Sequence, residues 1–323
     1  MDRILVTGGS GFIGTNLIDY FLSEGNHLVL NLDIEEPKLK QYKKFWKEVD
    51  IRDAELLHRV IMDFNPSIVI HLAARTDLNG KRLEDYNSNT LGIKNLLEVL
   101  DSLQSLKRVI FTSSMYVCAP GYEPQSEEDY APHTIYGESK VLSEKIIKNF
   151  NPQKYTWCII RPTSIWGPWF GEPYANFFKI VMGRNYFHMG KKACSKTYGY
   201  IGNTLYQLKR LLEVPSESID KKLFYIGDWP AYNISEWADE IAQSLGFRVK
   251  KIPFFVFRIA GLFGDLLKVF GIQFPMTSFR LRNMTTNNVH NLEAIKKIAP
   301  EIKYSRIEGI ELTVKWILSQ KSK

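Results

Sequence analysis

Three side chains in the first half of the chain have the types and order needed to move a proton at an alcohol or carbonyl carbon: Ser114, Tyr136 and Lys140. Tyr136 and Lys140 lie four apart in Tyr136-Gly137-Glu138-Ser139-Lys140, so on a helix they share one face. A phenol at its reference pKa of about 10 is a poor base at neutral pH, but the Lys140 ammonium and a cofactor's positive charge beside it would stabilise the phenolate. Tyr136 could then take and return a proton while Ser114 hydrogen-bonds the same substrate oxygen.

The elements that must position these groups are readable upstream. The apolar run Ile4-Leu5-Val6 leads into Thr7-Gly8-Gly9-Ser10-Gly11-Phe12-Ile13-Gly14 and then an apolar helix pattern. This is a strand, a turn and a helix. Gly8, Gly11 and Gly14, with Phe12 and Ile13 between them, let backbone approach a pyrophosphate at a helix N-terminus. A second apolar run, from 27 to 32, ends at Asp33, placed to hydrogen-bond the two ribose hydroxyls of an adenosine half. Asp50 and Ile51 fall where a third strand should end, a carboxylate for the adenine amino group and an apolar cover for the base. Leu72, Ala73 and Ala74 close the strand that begins at Ile68, and small residues there let pyrophosphate and ribose pass. His71 reads as a packed strand residue. The amide of Asn89, within a helix over 85–100, could hold backbone near the cofactor. The strand over 108–111 delivers Thr112-Ser113-Ser114 to the same edge, a long proline-containing loop follows, and Tyr136 opens a helix running to about 149. The predicted ligand is a dinucleotide, and a Ser-Tyr-Lys set beside it points to one that carries nicotinamide. Its nicotinamide would supply positive charge beside Tyr136 and carry the hydride, and Lys140 would also hold the nicotinamide ribose.

Composition narrows the classes. At 323 residues, with 45% apolar and 24% charged residues, the chain suits one elaborated domain or two joined ones. A net charge of +7, with acids scattered among the lysines, argues against nucleic-acid binding and fits an anionic substrate. Cys118, Cys158 and Cys194 are odd in number and widely spaced, without metal-ligand pairing, so no metal site is expected and a reducing cytoplasm is. The apolar stretch 254–274 carries Arg258, Asp265 and Lys268 and three glycines; it reads as a buried or interfacial helix rather than a membrane span, with a weak membrane-surface contact as the other reading.

The chain resembles the extended short-chain dehydrogenase/reductases, in the nucleotide-sugar epimerase/dehydratase group. The resemblance rests on TGGSGFIG, Asp33, Asp50-Ile51, HLAA at 71–74, Asn89, TSS at 112–114, YGESK at 136–140 and IIRPTSIWGP at 159–168, about the first 170 residues in the family's order. It implies an α/β architecture: a Rossmann-type doubly wound parallel sheet over 1–165 with later returns near 195–230. A smaller mixed C-terminal substrate region would comprise 166–194 and 231–323. It also implies bound NAD, a nucleotide-diphosphate sugar substrate, and a homodimer through helices 85–100 and 136–149. Asp33 favours NAD over NADP, since a 2′-phosphate would face its charge, although Lys38 and Lys40 could offset this. The family's dehydratases place an Asp-Glu pair where this chain has Ser113-Ser114-Met115, which disfavours water elimination. Ser164 stands in place of the usual asparagine, and Lys196 with Asn203 stands in the region of the usual arginine strand. Further on, residues 279–283, if extended, present Arg280 and Arg282 on one face for a diphosphate. Ser164, Lys196 and Arg282 are therefore the expected substrate contacts. Ser235 reads as the N-cap of a helix over 236–245 that Gly246 ends. The expected activity is that of an NAD-dependent nucleotide-sugar epimerase, in surface-polysaccharide sugar synthesis by the resemblance; the alternative is a reductase of a keto-sugar nucleotide or other carbonyl compound, and a non-catalytic NAD-binding sensor is disfavoured because it would not need Ser114, Tyr136 and Lys140.

Overall fold

A computed structural model of the chain describes residues 1–172, 174–190, 194–272, 274 and 276–321. Alternation in the short apolar runs sends neighbouring residues to opposite faces of a parallel sheet, which must be covered on both sides. In chain order the first part comprises β1 (Asp2–Thr7), α1 (Phe12–Glu24), β2 (His27–Asp33), β3 (Trp46–Glu48), α2 (Ala54–Phe64), β4 (Ile68–His71), α3 (Asn87–Ser102), β5 (Arg108–Thr112), α4 (Ile135–Phe150), β6 (Thr156–Pro162) and β7 (Ser164–Trp166). The remainder comprises α5 (Tyr174–Met182), β8 (Phe187–His188), β9 (Ser195–Lys196), β10 (Tyr198–Tyr200), α6 (Ile201–Glu213), β11 (Lys222–Ile226), β12 (Tyr232–Asn233), α7 (Ile234–Gln243), β13 (Lys250–Lys251), α8 (Phe254–Val269), α9 (Ser278–Thr285), α10 (Glu293–Ile298) and α11 (Arg306–Lys321).

Seven strands form one parallel sheet in the order β11-β6-β5-β4-β1-β2-β3. The chain winds outward from β1 through β2 to β3, then returns to the other side of β1 with β4. The order therefore reverses between β1 and β4, where the carboxyl ends part into a crevice. Thr7 pairs with Leu32 on one side and His71 on the other, which aligns the glycine turn, Asp33 and Leu72 at one level.

Both faces carry a core. Leu5, Leu32, Val69, Val109 and Phe111 pack with Leu57 of α2 and Leu96, Leu97 and Leu100 of α3. Their strand neighbours Ile4, Val6, Ile70 and Ile110 pack the other way, against Leu17, Ile18 and Phe21 of α1 and Leu208 and Leu211 of α6. At about 25 cal/mol per Å² of apolar surface, each such side chain contributes on the order of 2 kcal/mol. Further along the chain, β11 pairs with β6 and α6 packs on the second face of the sheet. Leu292, Ile295 and Ile298, in and beside α10, also join its second face. A third core lies over the cleft, where Trp166, Phe178, Trp237, Tyr232 and Ile310 pack together; the aromatic residues of 170–185 mostly serve this packing.

Local signals were resolved by neighbours. Asp53 caps α2, its side chain accepting from Leu56 N at 3.0 Å. The cap of α7 is Asn233, which accepts from Ser235 N and Glu236 N; Ser235, expected as the cap, lies inside the helix. Residues 279–283, expected as extended, are helical within α9. The side chain of Arg280 lies outside the described residues.

Candidate active site

The carboxyl ends of β1, β2, β4 and β5 open into a continuous cleft of about 950 Å³, within the range that encloses a cofactor or small ligand. Gly8, Gly11, Phe12, Ile13, Gly14, Asp33, Asp50, Ile51, Leu72, Ala73, Ala74, Ser114, Tyr136 and Lys140 all line it. Asn89, Ser164, Lys196 and Arg282 are not among the lining residues.

The glycine turn has no room for side chains. Gly8 has φ +74°, and a Cβ there would stand 2.5 Å from the amide nitrogen of Ala73. A Cβ on Gly14 would stand 2.3 Å from the Gly8 carbonyl oxygen. No side chain caps the start of α1, so its first amide groups face the cleft at the positive end of the helix dipole. Asp33 is held by two backbone amides: its Oδ2 accepts from Ser10 N at 2.9 Å and its Oδ1 from Glu35 N at 3.0 Å. Burial raises its pKa and these amides oppose the rise. Asp50 reaches the cleft but is paired bidentately with Arg52, with Nη2 to Oδ2 at 2.5 Å, so an adenine amino group would share a carboxylate already engaged. The uncapped helix start, the glycine cradle and the fixed carboxylate fit a dinucleotide's pyrophosphate and adenosine ribose.

At the other end of the cleft, Thr134 opens α4, its hydroxyl accepting from Gly137 N at 3.0 Å. This places Tyr136 and Lys140 one turn apart toward β5. Tyr136 is buried between Tyr86 and Tyr116, with ring centroids 6.1 and 5.9 Å away. Burial pushes its phenol up to about 12, and the hydrogen-bonding Ser114 hydroxyl partly opposes this. Lys140 donates to the Thr112 carbonyl at 2.7 Å, and burial pulls its ammonium down to about 8 against the pull of Glu144. The expected stabilisation of phenolate by Lys140 is therefore not what governs Tyr136 in the protein alone. The lysine is turned to the strand end and the phenol sits among apolar rings.

Asn89 works through the backbone. Its amide nitrogen donates to the Arg75 carbonyl at 3.0 Å and to Ser139 Oγ at 2.9 Å, and its oxygen accepts from Arg75 N at 2.8 Å. It thus ties the loop after β4 to α4, instead of lining the cofactor cleft. The Ser164 hydroxyl accepts from Tyr174 OH at 2.8 Å within a buried contact, and burial lowers the pKa of the Lys196 ammonium. Arg282 is exposed on α9. His71 is packed as expected: it contacts Thr7 Oγ1 at 2.7 Å, and burial holds its pKa near about 3.

Two features had no signal in the motifs. Lys38 donates to the Trp169 carbonyl at 3.3 Å, strapping the loop after β2 to the segment that follows β7 across the cleft. Behind the catalytic edge, Glu144 is fully buried and paired with Arg161 at 2.8 Å, and it accepts from Ser113 at 2.5 Å and Tyr130 at 3.0 Å. That network fixes the strand end carrying Ser114 against α4.

Comparison with known proteins agrees with this geometry. The model of the NAD dependent epimerase/dehydratase family matches residues 4–196. An Escherichia coli O157:H7 N-acetyl-alpha-D-glucosaminyl-diphospho-ditrans,octacis-undecaprenol 4-epimerase is 25% identical over 98% of this chain and 95% of its own. A Mycolicibacterium neoaurum 3-beta-hydroxysteroid dehydrogenase is 28% identical over 78% of this chain and 72% of its own. Among solved structures, a Thermus thermophilus UDP-glucose 4-epimerase in complex with NAD superposes with a TM-score of 0.70 at 23% identity, covering 98% of this chain and 99% of that one. With more than half its length matched and a buried Ser-Tyr-Lys set beside a glycine cradle, this chain is an enzyme of the NAD-dependent epimerase/dehydratase family.

Proposed function

We propose that the protein is an NAD-dependent epimerase that inverts one carbinol carbon of a sugar carried on a diphosphate, and serves the making of surface polysaccharide. The observation that carries this reading is the buried Tyr136 phenol, hydrogen-bonded to Ser114, opening into the same cleft as the glycine turn. A bound nicotinamide supplies reversible acceptance of a hydride and a positive charge. Gly8, Gly11 and Gly14 with the start of α1 would hold its pyrophosphate, and Asp33 its adenosine ribose, with NAD favoured over NADP by that carboxylate. With its own proton released to solvent under the cofactor's positive charge, Tyr136 as phenolate would take the sugar hydroxyl proton, Ser114 would donate to the same sugar oxygen, and Lys140 would hold the nicotinamide ribose. Inversion would require the keto-sugar to turn in the cleft so that its opposite face meets the returning hydride, and Tyr136 would then return the proton to the same sugar oxygen. The 950 Å³ cleft supports room for that rotation.

The carrier read from the sequence is a nucleotide. A polyprenyl carrier, as in the name of the E. coli relative, is the second reading, and the apolar face of α8 favours it. A homodimer through α3 and α4 belongs to the same reading, supported by Leu91, Leu142 and Phe150 standing exposed on those helices. The test is turnover of a panel of diphosphate-linked sugars without added cofactor, by wild type and Tyr136→Phe. Interconversion of two epimers with no net redox, reduced at least about a thousandfold in the variant, supports the mechanism. Unchanged turnover by Tyr136→Phe would sink it.

A further inference from the structure

Helix α8 is built inside out. Its small residues face the protein: a Cβ on Gly264 would stand 1.8 Å from the Met276 carbonyl oxygen, and one on Gly261 would stand 3.3 Å from Ser278 N. Asp265 also turns inward, accepting from Ser278 N at 3.1 Å. Its large apolar residues face solvent. Phe255, Ile259, Leu262, Leu266 and Phe270 recur at three- and four-residue spacing and are between 56% and 70% exposed, and Phe263 beside them is 51% exposed. Ile272 and Phe274 extend the patch beyond the helix. An apolar stripe of this length on open surface marks a contact.

The charge around it identifies the partner. Between residues 247 and 292 the sequence holds seven cations, at 248, 250, 251, 258, 268, 280 and 282, against one carboxylate, Asp265. That segment alone accounts for net +6 of the chain's +7. Arg258 and Lys268 are exposed on α8 itself, and Lys250 and Lys251 are exposed just before it. Pairing with a second copy about a twofold axis would set this cationic surround against itself. An anionic lipid surface takes both features, burying the stripe in the headgroup and acyl boundary and drawing in the lysines and arginines. Among the described residues no helix is long and apolar enough to cross a membrane.

The chain beyond α9 touches the loops beside Ser114. Just beyond α9, Asn288 accepts from Thr197 N at 2.9 Å and donates from its backbone to Ser195 O at 3.0 Å. Its side chain accepts from Gly121 N at 3.3 Å and lies 3.9 Å from the sulfur of Met115, the residue after Ser114. Helix α8 packs on α9, and the chain leaving α9 carries this segment.

We infer that α8 docks the protein on an anionic phospholipid surface, lying along the interface. The docking stands on the helix and its charge; its bearing on the substrate, an approach of lipid-carried sugar diphosphate to the cleft, rests on the function proposed above. The test is flotation of the full chain with vesicles of mixed phosphatidylglycerol and phosphatidylcholine, and with phosphatidylcholine alone. The wild type is expected to float with the anionic vesicles, less so at high salt. Leu262→Glu with Leu266→Glu should lower the bound fraction about tenfold or more, and Arg258→Glu with Lys268→Glu should weaken binding to anionic vesicles selectively. Melting temperature and NAD binding should stay at wild-type values in both, because these side chains are exposed. Failure of the wild type to float, or equal flotation of the variants, overturns the inference. So does a wild-type dimer in sedimentation velocity that does not float and that the Leu262/Leu266 variant splits, which would assign the face to a second copy. Turnover of the sugar panel is read separately. Flotation without turnover retains the docking and removes the proposed function, and turnover without flotation does the reverse.

Discussion

Burial pushes the two central ionisable groups toward their neutral forms. For Lys140 this means an ammonium pKa of about 8 against an ordinary 10.5. Between those values the unfolded chain binds the proton more than the folded one, so this group makes stability rise with pH across that window. Lys140→Met should remove roughly 2–4 kcal/mol of that rise, read as the difference between wild-type and variant urea-unfolding curves at pH 8 and pH 10. Parallel pH dependence in the two proteins would show that Lys140 does not titrate there. Burial holds the Tyr136 phenol up at about 12, so the proposed use of Tyr136 as a base requires positive charge in the cleft. The spacing of Tyr136 and Lys140 was legible because helix geometry puts i and i+4 on one face. The partner of Lys140 was not, because the Thr112 carbonyl comes from a strand 28 residues away and its position depends on how α4 packs on β5.

Among the elements, the turn between β1 and α1 is the least tolerant of change. A methyl group on Gly14 would collide with the Gly8 carbonyl and the Gly9 backbone, which have no freedom to withdraw. Gly14→Ala should cost about 1–3 kcal/mol and weaken NAD binding more than tenfold, measured by thermal unfolding with and without NAD. A variant stabilised by NAD as much as wild type would contradict the cradle. Strands with alternating apolar residues were legible, since each face of the sheet needs its own core. Residues 279–283 were not: two arginines two apart fit a strand edge or a helix equally, and only the packing of α9 against α8 decides. Ser235 failed as a cap for a related reason, as Asn233 two residues earlier offers a better placed acceptor.

Across the whole molecule, the parallel sheet and its glycine turn were legible, because short apolar strands and a turn without room for side chains leave their mark in the sequence. The C-terminal region was less so, since its aromatic residues form a core whose partners come from β7, α5, α7 and α11, far apart in sequence. The strap from Lys38 to Trp169 joins the two halves over the cleft. An epimerase regenerates its cofactor at every turnover and has no need to release it, whereas a reductase must exchange it. The most direct test is the identity and stoichiometry of nucleotide released when the purified protein is denatured, read by chromatography and absorbance. Near-stoichiometric NAD is the expected result. An empty protein that binds NADPH more tightly than NADH would contradict both the epimerase assignment and the role given to Asp33.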